Sequence, residues 1–160
     1  MSRAVVALGS NLGERENNLQ SAVQALAALP HTRILKISAI YETAPVGYAE
    51  QPAFLNAVLL LETALSARAL LGACLGIEAA MGRVRTIRNG PRIIDLDLLL
   101  VEGVVMAEEE LCLPHPRMGE RGFVLVPLAD IFPDGHPLGF DFSKEMAAVS
   151  RNGIRLLQKK

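Results

Sequence analysis

The stretch from Gly82 to Leu100, Gly-Arg-Val-Arg-Thr-Ile-Arg-Asn-Gly-Pro-Arg-Ile-Ile-Asp-Leu-Asp-Leu-Leu-Leu, carries the densest chemistry in this 160-residue sequence. Four of its 12 arginines, Arg83, Arg85, Arg88 and Arg92, fall here ahead of any acid. Two aspartates then interrupt an apolar run. Side chains alternate along a strand, so Asp95 and Asp97 share one face while Ile94, Leu96, Leu98 and Leu100 share the other. Two strand residues span roughly 6–7 Å, which lets the carboxylates converge on one hard cation or bridge two. Oxygen donors without neighbouring His or Cys suit Mg²⁺ better than zinc. Salt bridges at a strand edge are the plainer account, and they suffice for an isolated Asp-x-Asp. Here the like charges repel unless a cation lies between them, and the arginine-rich Gly-Pro loop supplies planar donors for phosphate oxygens. The pattern favours a metal–polyphosphate site. Neither Gly-x-x-x-x-Gly-Lys-Ser/Thr nor Gly-x-Gly-x-x-Gly occurs, so arginines and metal must hold the phosphates.

A second constellation runs from Leu113 to Phe123. His115 stands between Pro114 and Pro116 in a stiff loop, which suits a residue presented to a ligand as well as a solvated one. Arg121 beside Gly122 and Phe123 is open to the same two accounts, and a Phe at a loop-to-helix junction is also an ordinary core staple. Phe54 and Asn56 share one strand face. A buried Asn must satisfy four hydrogen-bonding valences, which is costly in a plain core and useful against a flat, amide-like ring.

These residues need a scaffold, and the pattern supplies one. Residues 3–9 read as a buried strand, Gly9 to Gly13 as a turn, and 14–29 as a helix with Leu19, Val23, Leu26 and Leu29 at helical spacing. Residues 34–42 and 54–62 read as strands, with Pro45 forcing Ala44 to be extended. Ser66 caps a helix striped by Leu70, Cys74, Ile77 and Met81, with Gly82 just past its end. Residues 93–101 form a strand and 124–131 a short helix. Ser143 caps a last helix reaching Asn152-Gly153, and 154–157 form a final strand. Consecutive strands at 34–42 and 54–62 without a crossover helix imply antiparallel pairing, hence an α+β fold. With 51% hydrophobic and 21% charged residues the chain can bury a real core. One domain over 1–160 is expected. A net charge of −1 argues against a general nucleic-acid or membrane-surface binder. The longest apolar runs, such as Ala57 to Leu61, are too short for a bilayer. The N-terminus reaches Gly-Ser-Asn too early for a signal peptide, and Cys74 and Cys112 form no Cys-x-x-Cys, so a cytoplasmic setting is expected.

Six segments occur in an order that resembles the 6-hydroxymethyl-7,8-dihydropterin pyrophosphokinase family. They are Gly9-Ser10-Asn11-Leu12-Gly13, Tyr41-Glu42-Thr43-Ala44-Pro45, Phe54-Leu55-Asn56, Glu78 with Gly82-Arg83-Val84-Arg85, Gly90-Pro91-Arg92-Ile93-Ile94-Asp95-Leu96-Asp97, and Pro114-His115 through Arg121-Gly122-Phe123. The likeness runs from about residue 4 to 131. It implies an α/β sandwich related to the ferredoxin-like fold, its mainly antiparallel sheet carrying helices on its faces. It implies transfer of pyrophosphate from ATP to the pterin hydroxymethyl group, releasing AMP, in folate biosynthesis. Asp95 and Asp97 would hold two Mg²⁺ ions. Arg83, Arg92, His115 and Arg121 would contact polyphosphate, with Arg85 in a catalytic loop, and Glu78 and the backbone near Leu98 on the nucleotide side. Thr43, Pro45, Val46, Phe54, Asn56, Asp95 and Phe123 would form the pterin pocket. A monomer is expected. The sequence departs from the family at Phe54, often Tyr, at Asn89, often aromatic, and at Pro116, also often aromatic.

Two rivals come from other classes. A non-catalytic nucleotide sensor on the same fold would bind ATP without turnover, but the full set Arg83, Arg92, Asp95, Asp97 and His115 argues against it. An RNA-binding module needs aromatic platforms and positive charge, whereas aromatics are 4% of this chain.

Overall fold

The computed structural model describes residues 1–44, 51–82 and 92–157. The chain enters along β1 (Ser2–Ser10) into α1 (Arg15–Ala27), β2 (Thr32–Ile37), β3 (Tyr41–Thr43), β4 (Phe54–Thr63) and α2 (Ala67–Ala80). There follow β5 (Asp95–Val101), the small hairpin β6 (Met106–Ala107) and β7 (Cys112–Leu113), α3 (Gly122–Ile131), α4 (Ser143–Ala148) and β8 (Ile154–Leu156). The main sheet runs β5-β1-β4-β3-β8, with β2 sharing the β4 edge with β3, and its pairings are antiparallel.

Alternation along β1 and β4 divides the core. Val6, Leu8, Leu59 and Leu61 face α1 and α2, meeting Leu19, Leu26 and Leu70. Val5, Ala7, Val58 and Leu60 face the other way, meeting Val124, Leu128 and Ile131 of α3. The result is the expected sandwich of helices on both faces of an antiparallel sheet. Among the described residues no helix is long and apolar enough to cross a membrane.

Several local expectations need correction. The strand expected over 34–42 is two strands. Ser38 breaks it: its N–H donates to the Val58 carbonyl (2.8 Å) and its Oγ accepts the Val58 N–H (2.9 Å). Leu100 does not share a face with Leu96 and Leu98. Val5 pairs with Leu100 and Val6 with Leu98, so Leu99 is an extra bulged residue that reverses the alternation and sends Leu100 to the α3 side. Gly9 lies in β1 as the 3–9 strand expects, and Ser10 belongs to β1 rather than to the turn. Ser143 is not a cap. The Asp141 carboxylate accepts both its N–H (3.0 Å) and its hydroxyl (2.6 Å), and the helix ends at Ala148. Ser66 does cap α2, accepting the Ala69 N–H at 3.1 Å.

Candidate active site

The site is laid out by register. Asp95, Gly9 and Asn56 face one another across β5, β1 and β4, and Asp97, Ala7 and Val58 form the next row. Because Leu96 and Leu98 point into the α1/α2 core, both aspartates point to the α3 side. There they line a cleft of about 660 Å³, shared with Thr43, Phe54, Arg92, His115, Arg121 and Phe123. Glycine at position 9 is a matter of room. A Cβ there would lie 3.0 Å from Asn56 Oδ1 and 3.6 Å from the Phe54 ring.

Asn56 is buried, and its Nδ2 donates to Thr43 Oγ1 at 2.6 Å. The amide is thereby oriented, with its oxygen over Gly9. Two arginines each span a ring and a carboxylate. The Arg92 guanidinium lies 5.7 Å from the Phe54 ring centroid and 3.6 Å from Asp95. Arg121 lies 5.6 Å from the Phe123 centroid and 3.7 Å from Asp97. Each guanidinium is held by a π-face on one side and an anion on the other, with charge available to a third, anionic partner. The aspartates retain access to the cleft, with side-chain exposures of 25% and 31%.

His115 is fastened to the edge strand, its N–H donating to the Leu99 carbonyl at 2.8 Å. Its Nδ1 accepts the Arg117 N–H at 3.2 Å, which leaves the ring proton on Nε2. Burial, then the neighbouring Arg121 and Arg117, push its pKa below the ordinary histidine value, against a weaker opposite pull from Asp95. The shift favours the neutral ring, whose donor is then Nε2.

Asn11 is a fully buried hub. Its Nδ2 donates to Gln51 Oε1 (2.7 Å) and to the Pro52 carbonyl (3.0 Å), its Oδ1 accepts the Arg92 N–H (2.7 Å), and its own N–H donates to the Arg92 carbonyl (3.0 Å). It thus fixes the backbone from which Arg92 projects.

Glu78 and Leu98 lie outside this cleft. Glu78 is buried under the sheet at 3% exposure, where its carboxylate accepts the Leu96 N–H at 2.7 Å and anchors the start of β5. Leu98 has its side chain in the α1/α2 core, which leaves its main chain as the part able to meet a nucleotide. Nearby Cys74 is a core residue, its thiol pushed up to about 12 by burial and by the charges of Glu78 and Asp97. Arg83, Arg85, Pro45 and Val46 fall outside the described residues.

The residue pattern missed four contributions. In the residue pattern Gly9 only ends a strand and opens a turn, whereas here it is the floor of the cleft, and nothing in the pattern gives Asn11 its role. Arg117 lines the cleft beside His115, and its place in the Pro-His-Pro-Arg run was the available signal. Ser150, Asn152, Gly153 and Ile154 also line it, and nothing in their types announces that.

The donor set fits Mg²⁺. Among the described residues no group of three or more His, Cys, Asp or Glu is arranged to hold a metal. Two carboxylates on one sheet face, open to a cleft with several cations, are what an ion held by one or two carboxylates and by substrate phosphates needs.

Residues 5–133 match the family described as 7,8-dihydro-6-hydroxymethylpterin-pyrophosphokinase. The chain is 46% identical over 158 residues to the 2-amino-4-hydroxy-6-hydroxymethyldihydropteridine pyrophosphokinase of Methylorubrum extorquens, covering 99% of this chain and 100% of that one. It is 48% identical over 157 residues to the protein of the same name from Bacillus subtilis, covering 98% and 91%. Among solved structures it resembles an HPPK-DHPS chain in complex with substrates, with a TM-score of 0.67 over 92% of this chain and 43% of that one. At 15% identity this last likeness concerns the fold alone. Motif order, register and relatives agree: the chain belongs to the 7,8-dihydro-6-hydroxymethylpterin-pyrophosphokinase family.

Proposed function

We propose that this chain transfers the β,γ-pyrophosphoryl group of ATP to the hydroxymethyl oxygen of 6-hydroxymethyl-7,8-dihydropterin, giving the pterin diphosphate and AMP. The pterin oxygen forms a bond to the β-phosphorus, the bond from that phosphorus to the α–β bridging oxygen breaks with its electron pair leaving on AMP, and the hydroxyl proton passes to solvent water. The observation that carries this reading is the pair of arginine–ring–carboxylate clusters in one cleft, Arg92 with Phe54 and Asp95, and Arg121 with Phe123 and Asp97.

In this reading Phe54 and Phe123 stack on the flat pterin, and Asn56, oriented by Thr43, offers its amide oxygen to the ring's N–H groups. Arg92 and Arg121 take polyphosphate oxygens, and His115 donates its Nε2 proton to another. Arg83 and Arg85 complete the cationic set. Asp95 and Asp97 would hold Mg²⁺, which when bound neutralises phosphate charge and aligns the reacting oxygens. Such a transfer is won by positioning and charge neutralisation rather than by a covalent nucleophile, and the cleft's inventory matches that need.

The test is turnover with ATP, Mg²⁺ and the reduced pterin. ATP consumption should require the pterin and its hydroxymethyl group, and 6-methyl-7,8-dihydropterin should bind without supporting it. Consumption at the same rate with the methyl compound would refute the assignment of the acceptor.

A further inference from the structure

The last strand lies beyond the 5–133 region matched by the family, and the function proposed above leaves it without a role. Its first residue and the segment leading into it nevertheless form part of the site. Ser150, Asn152, Gly153 and Ile154 line the cleft. β8 adds to the sheet edge that carries Thr43, with Thr43 facing Ile154, and the Ala44 N–H donates to the Gly153 carbonyl at 3.0 Å. The Glu42 carboxylate grips this edge from both sides, accepting from Arg15 (3.0 Å) and from Arg155 Nε (3.0 Å). Ile154 also reaches across to the start of α3. A Cβ at Gly122 would lie 2.9 Å from Ile154 Cδ1 and 3.3 Å from the Ser150 carbonyl, so the two segments meet where Arg121 and Phe123 leave the backbone.

We infer that Ile154 is a positioning residue for the pterin. Seated on Gly122, it fixes the approach of Phe123 to the Thr43–Asn56 pair and so sets the gap into which the ring slides. The inference rests on the proposed function, since it assigns the β3–β8 end of the cleft to the pterin. The sheet order places β8 and β5 at opposite edges, four strand spacings or roughly 19 Å apart. Arg121 leaves the backbone beside Gly122 and would feel the same disturbance. Arg92, His115 and Asp95 lie toward the β5 edge, so a change at Ile154 should cost the pterin more than the nucleotide.

Gly122→Ala, Ile154→Val and the double variant test this, because valine lacks the Cδ1 that the new Cβ would meet. Calorimetry reads binding of an ATP analogue with Mg²⁺, then of 6-hydroxymethyl-7,8-dihydropterin to that complex. Overpacking of this degree should weaken pterin binding about tenfold in Gly122→Ala, while the analogue, which can lose part of its Arg121 contact, weakens by no more than about threefold. Ile154→Val alone should stay within about threefold, and the double variant should recover most of the loss. Unchanged pterin binding in Gly122→Ala, equal losses for both ligands, or no recovery in the double variant would overturn the inference and leave the proposed function standing. A wild-type protein that does not bind the pterin would overturn both.

Discussion

Gly9→Ala adds a single methyl group to the floor of the cleft, and its consequence can be worked from distances. The new Cβ would stand 3.0 Å from Asn56 Oδ1, closer than carbon and amide oxygen ordinarily approach, with Phe54 at 3.6 Å and Asp95 Cβ at 3.9 Å. The amide has to give way by a few tenths of an ångström. It cannot do so without cost, because its Nδ2 is held at 2.6 Å by Thr43 and the residue is buried. A hydrogen bond between that oxygen and a pterin N–H would then be lost or misaligned, leaving a desolvated group unpaired at about 1–3 kcal/mol, or roughly 5- to 150-fold in affinity. Stability should move little, because alanine gains about 0.5–1 kcal/mol over glycine inside a strand, which offsets the crowding. Titration calorimetry should show weaker pterin binding with ATP-analogue binding nearly unchanged, and thermal melting should shift by no more than a few degrees. Pterin affinity within twofold of wild type would refute the reasoning, as would parallel losses for both ligands in a protein that melts early.

Three further outcomes are expected. Asp95→Ala and Asp97→Ala should each nearly abolish turnover while circular dichroism and melting stay close to wild type, since both side chains are partly exposed at the cleft; normal turnover by either would contradict the metal assignment. Phe54→Ala and Phe123→Ala should each lose on the order of 1 kcal/mol of pterin binding beyond the buried area, with ATP binding less affected, read by calorimetry with each ligand. Glu42 is held below the ordinary carboxylate range chiefly by its hydrogen bond from Arg155, then by Arg15, against burial. Its contribution is therefore fully present above the unfolded carboxylate value and lost as pH falls through the lowered one, so melting of wild type and Glu42→Gln should differ at pH 7 and converge in acid.

Much of this architecture is written in local sequence pattern. The unbroken apolar runs of β1 and β4, the Ser66 cap and the carboxylates of Asp95 and Asp97 on one face are local facts, and the structure repeats them. The features that escaped depend on what a residue meets across the fold. Leu98-Leu99-Leu100 is uniformly apolar, so no pattern marks the bulge that turns Leu100 over. Ser38 breaks a strand through its bonds to Val58, twenty residues away in sequence. Glu78 follows Leu70 and Cys74 at intervals of four and so faces the core, where the Leu96 N–H satisfies its carboxylate. The pairing of Arg92 with Phe54 and of Arg121 with Phe123 joins residues that the family resemblance assigns to separate phosphate and pterin sets. β8 reaches the cleft through pairing with β3, and its Ile-Arg-Leu carries no sign of that destination.

The central claim is that attack falls on the β-phosphorus, and the nucleotide product decides it. Chromatography of a reaction containing ATP, Mg²⁺ and 6-hydroxymethyl-7,8-dihydropterin should show AMP rising in step with pterin consumed and a pterin carrying two phosphates. ADP accompanied by a monophosphorylated pterin would contradict the account and make this cleft the site of an ordinary kinase.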